Sequence, residues 1–243
     1  MENKNKKLKA LFLNCTIKYS PEVSNTEALT QKLINRMEEV YPNLEVEFLR
    51  VTDYNVKFGG ASNDMGNGDE WPIILEKVKK CDIFVMAMPI WMGVRCSVGQ
   101  MVIERLDGTT KGTESQFPLY NTVAGVVVTG NEDGAHDVCS NTLYNLAHFG
   151  CTIPPNTDVY WVGDAGPGDS YIDAHGELSP YVNRNIEMTA QNLIHGALML
   201  KEMPYPIDLR PLKKKMAAQM QIKTEVMREA AMKLKERLER DKE

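Results

Sequence analysis

Two runs, Ile83–Met88 (IFVMAM) and Thr122–Thr129 (TVAGVVVT), are apolar along nearly their whole length. A half-exposed strand alternates apolar and polar residues, so runs this uniform need cover on both faces, as central strands of a parallel sheet have. Around them strand-like segments (Leu8–Leu13, Leu44–Leu49, Thr157–Val162) alternate with amphipathic ones (Glu27–Val40, Asp69–Lys80, Ser97–Leu106, Asp137–Phe149, Pro180–Leu200). This order predicts an α/β fold: a doubly wound five-stranded parallel sheet with helices on both faces. In such sheets a ligand binds beyond the carboxyl ends of the strands, where the topology reverses.

Three loops fall at that end: Thr16–Thr26, Pro89–Gly93 and Gly130–Gly134. All are rich in Gly, Pro or small polar residues, which let backbone approach a flat ligand closely. The first feeds a helix, whose unpaired N–H groups and positive dipole end attract an anion. Thr16, Lys18, Ser24, Asn25 and Thr26 supply hydroxyls, an amide and one positive charge, a set suited to a monophosphate such as that of FMN. Ser24, Asn25 and Thr26 are equally ordinary helix caps. Neither GxGxxG nor GxxxxGK[ST] is present, which argues against a dinucleotide fingerprint and a P-loop.

The 243 residues suit one large domain with an extension beyond the break at Met203-Pro204-Tyr205-Pro206. A net charge of -5 disfavours nucleic acid. The leader bearing Lys4, Lys6, Lys7 and Lys9 precedes an apolar stretch too short for a signal core, and no run approaches the ~20 residues of a membrane span. Cys15, Cys81, Cys96, Cys139 and Cys151 lack CxxC spacing, and His136, His148, His175 and His195 lack metal-ligand spacing. Reduced thiols, a cytoplasmic location and no metal are expected.

Of two long loops, Asn55–Gly68 reads as a lid, a binding loop or disorder and Gly163–Gly176 falls on the ligand side; either could shape the acceptor pocket. Beyond the core, Leu212, Met216, Met220, Met227, Ala231, Leu234 and Leu238 form an apolar stripe on one long helix. A partner subunit is the preferred cover for it, with the chain's own domain as the alternative; a membrane surface is a third, disfavoured by the balancing acids and the lack of Trp or Phe.

The three loops in order resemble those of the flavodoxin-like NAD(P)H-dependent FMN reductase family. Asn14-Cys15-Thr16-Ile17-Lys18 with Ser24-Asn25-Thr26 is similar to its N-G-S-P-R-x-x-G-N-T loop, with Cys15, Thr16 and Lys18 as departures and an insertion between. Met88-Pro89-Ile90-Trp91-Met92-Gly93, followed by Ser97, Gly99 and Gln100, resembles T-P-[IV]-[YW]-x-G-x-x-[ST]-G, and Thr129-Gly130-Asn131-Glu132-Asp133-Gly134 resembles its third loop. The resemblance spans Leu8 to Leu200. It implies a flavodoxin-like FMN-binding domain over 1–203 and a C-terminal helical extension over 204–243.

It also implies FMN as cofactor and NAD(P)H as electron donor. Thr16, Lys18, Ser24, Asn25 and Thr26 would hold the phosphate. Pro89, Ile90, Trp91, Met92 and Gly93 would run along the isoalloxazine edge, and Thr129, Gly130, Asn131, Glu132 and Gly134 would close the other side. Hydride would pass from nicotinamide to flavin and on to a quinone, free flavin, or nitro- or azo-aromatic acceptor. The chemistry needs no side-chain acid or base, so no catalytic residue is named; His136 is the one side chain weighed for orienting or protonating a substrate. A homodimer or homotetramer is expected. The alternatives are a flavodoxin-type electron carrier without its own NAD(P)H site, which the length and mild acidity disfavour, and a flavin-regulated scaffold.

Overall fold

The computed structural model describes residues 6–112, 114–166 and 168–240, without the side chains of residues 238 and 240. Lys4 of the basic leader, Pro167 of the second long loop, the Leu238 end of the apolar stripe and the tail from 241 lie outside the described residues.

The chain runs β1 (Leu8–Asn14), α1 (Asn25–Val40), β2 (Leu44–Arg50), α2 (Trp71–Val78), β3 (Ile83–Trp91), β4 (Val94–Arg95), α3 (Ser97–Asp107), β5 (Val123–Gly130), α4 (Ala135–His148), β6 (Asp158–Val162), α5 (Pro180–Glu202) and α6 (Leu209–Arg240). Five strands pair in parallel in the order β2-β1-β3-β5-β6, and the direction of winding reverses between β1 and β3. This is the flavodoxin-like arrangement.

Alternate residues of the central strands enter two cores. Leu11, Phe84, Met86 and Val126 pack under α2, α3 and α4, while Phe12, Val85, Val127 and Val159 pack under α1 and α5. The uniformly apolar runs are therefore those covered on both sides.

Two local departures from the expected elements have clear causes. The segment expected as a loop from Pro89 is still strand through Trp91, and it turns back into β4, pairing Ile90 with Arg95 and Trp91 with Val94. Met92 (φ 52°) and Gly93 (φ 79°) form that two-residue turn, with both central residues left-handed as a tight hairpin requires. The second helix starts at Trp71 and not Asp69: Pro72 stands in its first turn, and the Asp69 carboxylate, ahead of the helix, accepts from the Trp71 amide at 3.2 Å.

The pairing of Asp69 with Arg105 also settles the Asn55–Gly68 segment. Arg105 is fully buried; its Nε donates to the Ala61 carbonyl (2.6 Å), Nη1 to Lys57 (2.8 Å) and Nη2 to Asn63 (2.9 Å). Nη1 and Nη2 also reach the Asp69 carboxylate at 3.2 and 2.7 Å, and the guanidinium lies 5.4 Å from the Trp71 ring. A loop read from its composition as a lid, a binding loop or disorder is clamped by one arginine. Burial alone would raise the Asp69 pKa, but Arg105 and the amides of Met65, Lys57 and Trp71 hold it well below the usual carboxylate range.

The described residues fall into two compact units, one running to Gly112 and resuming over Phe117–Tyr205, the other formed by residues 114–116 and the chain from Pro206. All five cysteines are free and buried. Among the described residues no helix is long and apolar enough to cross a membrane, and no cluster of His, Cys, Asp and Glu is placed to hold a metal.

Candidate functional site

At the carboxyl ends of β1, β3 and β5 lies a cavity of about 380 Å³. Its size is within the range of small-molecule sites. Thr16, Lys18, Ser24, Asn25, Thr26, Pro89, Ile90, Trp91, Thr129, Gly130, Asn131 and Glu132 all line it.

The first wall is built from the start of α1. Ser24 caps the helix, its Oγ accepting from the Glu27 amide at 3.1 Å. The amides of Asn25 and Thr26 donate to nothing among the described residues, which leaves the positive end of the helix facing the cavity with donors in hand. Behind it, buried Asn14 accepts from the Thr16 amide (3.1 Å), and its Nδ2 approaches Ser24 Oγ (3.5 Å) and Glu27 Oε2 (3.4 Å). Arg50, buried at the end of β2, pairs with Glu27 and donates to the Glu22 carbonyl at 2.9 Å, holding the inserted part of the loop. Lys18 Nζ donates to the Val23 carbonyl at 3.0 Å and closes the loop on itself.

The loops are then locked to one another. Thr26 and Thr129 share a 2.7 Å hydroxyl hydrogen bond across the cavity floor. Any Cβ at Gly130 would come within 2.7 Å of Ile90 Cδ1, so only glycine lets these strands end side by side. Met92, Gly93 and Gly134 do not line the cavity. They join its second and third loops instead: the Met92 amide donates to Glu132 Oε1 at 2.9 Å, and a Cβ at Gly134 would lie 2.2 Å from the Gly93 carbonyl oxygen. Met92 itself is 81% exposed at the hairpin tip, beside Trp91 at 55%.

His136 does not line the cavity either. Its Nε2 bonds the Tyr160 hydroxyl (2.9 Å), which bonds Tyr181 (2.6 Å), a chain around the edge strand β6.

Four lining residues were not singled out from the sequence: Ile17, Trp161, Ser170 and Tyr171. Trp161 shares a face of β6 with Val159, so strand alternation could have placed it. Ser170 and Tyr171 arrive with the 163–176 loop, which is held over the site by the Ile172 amide donating to Asn25 Oδ1 (2.8 Å) and the Gly166 amide to Asn131 O (3.0 Å). No local pattern marks those two residues.

Comparison with known proteins gives the family and the fold. The model of the family described as NADPH-dependent FMN reductase matches residues 9–165. The chain belongs to this family. The 8-demethyl-8-aminoriboflavin-5'-phosphate synthase of Streptomyces davaonensis is 39% identical to this family member over 212 residues, covering 83% of this chain and 82% of that one. The crystal structure of RosB with bound 8-demethyl-8-formylriboflavin-5'-phosphate matches it with a TM-score of 0.77 at 37% identity, covering 87% of each chain. An apo NADH:FMN oxidoreductase (EMOB) shares the FMN reductase fold at a TM-score of 0.55 and 14% identity, covering 79% of this chain and 90% of that one.

Proposed function

We propose that this FMN reductase family member binds riboflavin 5'-phosphate in the cavity and uses it to carry hydride from NAD(P)H to a small-molecule acceptor such as a quinone, free flavin, or nitro- or azo-aromatic. The observation that carries the reading is the unpaired amide pair of Asn25 and Thr26, opening into a cavity at the reversal point of a doubly wound sheet. These residues fit the group: an anion there would meet helix-end amides, the Thr16 and Thr26 hydroxyls and the Lys18 ammonium. A bound flavin supplies the hydride chemistry through its ring.

The chain's own residues bind and orient. The segments Pro89–Trp91 and Thr129–Glu132 wall the ring end, and Glu132 fixes the hairpin through the Met92 amide. Trp161 and Tyr171 wall the cavity beside the helix end. Half-exposed Trp91 is left where a nicotinamide or acceptor would approach.

A second reading, in which riboflavin phosphate is itself the molecule changed, is favoured by the 39% identity to the aminoriboflavin-phosphate synthase. One experiment separates them. The protein is loaded with FMN, treated anaerobically with NADPH and with NADH, and followed at visible wavelengths; a parallel sample is incubated in air with an amino-group donor, since replacing a ring methyl by an amino group needs an oxidant and a nitrogen source, and the flavin of both is recovered for mass spectrometry. Rapid bleaching with flavin of unchanged mass is expected. Flavin of altered mass would establish the second reading, bleaching by dithionite alone would favour a carrier, and failure to bind FMN would overturn the assignment.

Assembly into a homodimer or homotetramer through α6 is part of the proposal. This helix has ten basic and four acidic residues, and its Leu212, Met216, Met220, Met227 and Leu234 are exposed. A helix at +6 in a chain at -5 leaves the remainder at -11, so charge favours α6 lying against the acidic body of another copy over two α6 helices pairing.

A further inference from the structure

Tyr171 is 2% exposed, and its hydroxyl is buried without a hydrogen-bond partner among the described residues. Native interiors rarely leave a phenol hydroxyl in that state, because it has given up water and gained nothing. The side chain is not loosely placed. Its ring meets Trp161 edge-on at 5.5 Å and 78°. Gly176 makes room for both: a Cβ there would lie 2.3 Å from Tyr171 Cδ2 and 2.8 Å from Trp161 Nε1.

Its position relative to α1 is equally constrained. The next residue, Ile172, donates its amide to Asn25 Oδ1, and the Gly176 amide closes on the Tyr171 carbonyl at 2.8 Å. Tyr171 therefore lines the cavity beside the first turn of α1, with Thr16, Lys18, Asn25 and Thr26. Burial pushes the phenol up to about 12, so it is a proton donor across the physiological range.

We propose that the Tyr171 hydroxyl donates a hydrogen bond to an oxygen of the bound flavin's phosphate, making the 163–176 loop a second reader of the 5'-phosphate. This rests on the flavin-phosphate reading above. The physical consequence is discrimination. A phosphate oxygen satisfies the buried donor with a charge-assisted bond, whereas riboflavin leaves it orphaned.

Tyr171→Phe keeps the ring and removes one oxygen, and the full chain is used throughout. Dissociation constants for FMN and for riboflavin are measured by quenching of flavin fluorescence, with the thermal midpoint of the ligand-free protein as a check on folding. The variant is expected to bind FMN about tenfold more weakly or worse, to bind riboflavin as the wild type does, and to melt no lower than the wild type without ligand. Unchanged affinity for FMN would overturn the inference and leave the flavin-phosphate reading standing. Equal losses for FMN and riboflavin would also overturn it, since they would make Tyr171 a ring contact. Wild-type protein that binds neither flavin would overturn the reading itself, and the inference with it.

Discussion

Arg105 shows how much one buried charge can organise. Arg105→Met would strip the loop carbonyls of Lys57, Ala61 and Asn63 of their donor and leave Asp69 buried without its cation. The expected loss is about 3–5 kcal/mol in urea unfolding. Its pH dependence has a definite sign. In the wild type the depressed Asp69 pKa adds stability above the ordinary carboxylate range, lost as pH falls through the depressed value. Without Arg105, burial opposes only the amides of Met65, Lys57 and Trp71, so the Asp69 pKa moves up from its depressed wild-type position. The gap in urea midpoint between variant and wild type should therefore be widest at neutral pH and narrow as pH falls through the variant's Asp69 pKa towards the depressed wild-type one. Gly134→Ala makes a different demand: φ is 125° and the new Cβ would strike the Gly93 carbonyl. A loss of at least ~2 kcal/mol, or roughly 4–8 °C in thermal midpoint, is expected, with weaker FMN binding as the two loops part.

At the scale of the element, the start of α1 serves both the helix and the site. Ser24→Ala should cost about 1 kcal/mol of ligand-free stability, and Ser24→Gly only a few tenths, because glycine tolerates the cap position. Asn25→Asp isolates the electrostatic part. The carboxylate can still accept from the Ile172 amide and is welcome at a helix start, so ligand-free stability should hold. The added negative charge lies where the phosphate is proposed to bind, and FMN should bind about tenfold more weakly while riboflavin is spared, as calorimetry would show. The β3–β4 hairpin teaches the complementary lesson. Its Pro-Ile-Trp-Met-Gly run reads as a ligand loop, yet Ile90 and Trp91 are still strand and only Met92 and Gly93 turn.

For the whole molecule, the proposed cover of α6 is the acidic body of another copy. Met216→Glu with Met220→Glu, in the full chain, removes two apolar contacts and sets negative charge against an acidic partner surface, and should lower the assembled mass measured by light scattering while leaving FMN affinity and the thermal midpoint of the body close to wild type. An unchanged mass would remove α6 from the proposed interface.

The winding of the sheet, the two-sided cores and the three loops at the strand ends were legible along the chain, because each depends on short-range pattern: uniform apolar runs, amphipathic helices, small residues after strands. Twelve of the fifteen residues proposed for the ligand line one cavity for the same reason, since consecutive residues after a strand stay together. Tertiary structure alone decided the rest. Arg105 lies far along the chain from the loop it clamps, Gly134 presses on Gly93 across two loops, and Tyr171 reaches the start of α1 only when β6 and its loop are in place. Such contacts depend on where separate elements meet, and no local pattern encodes that.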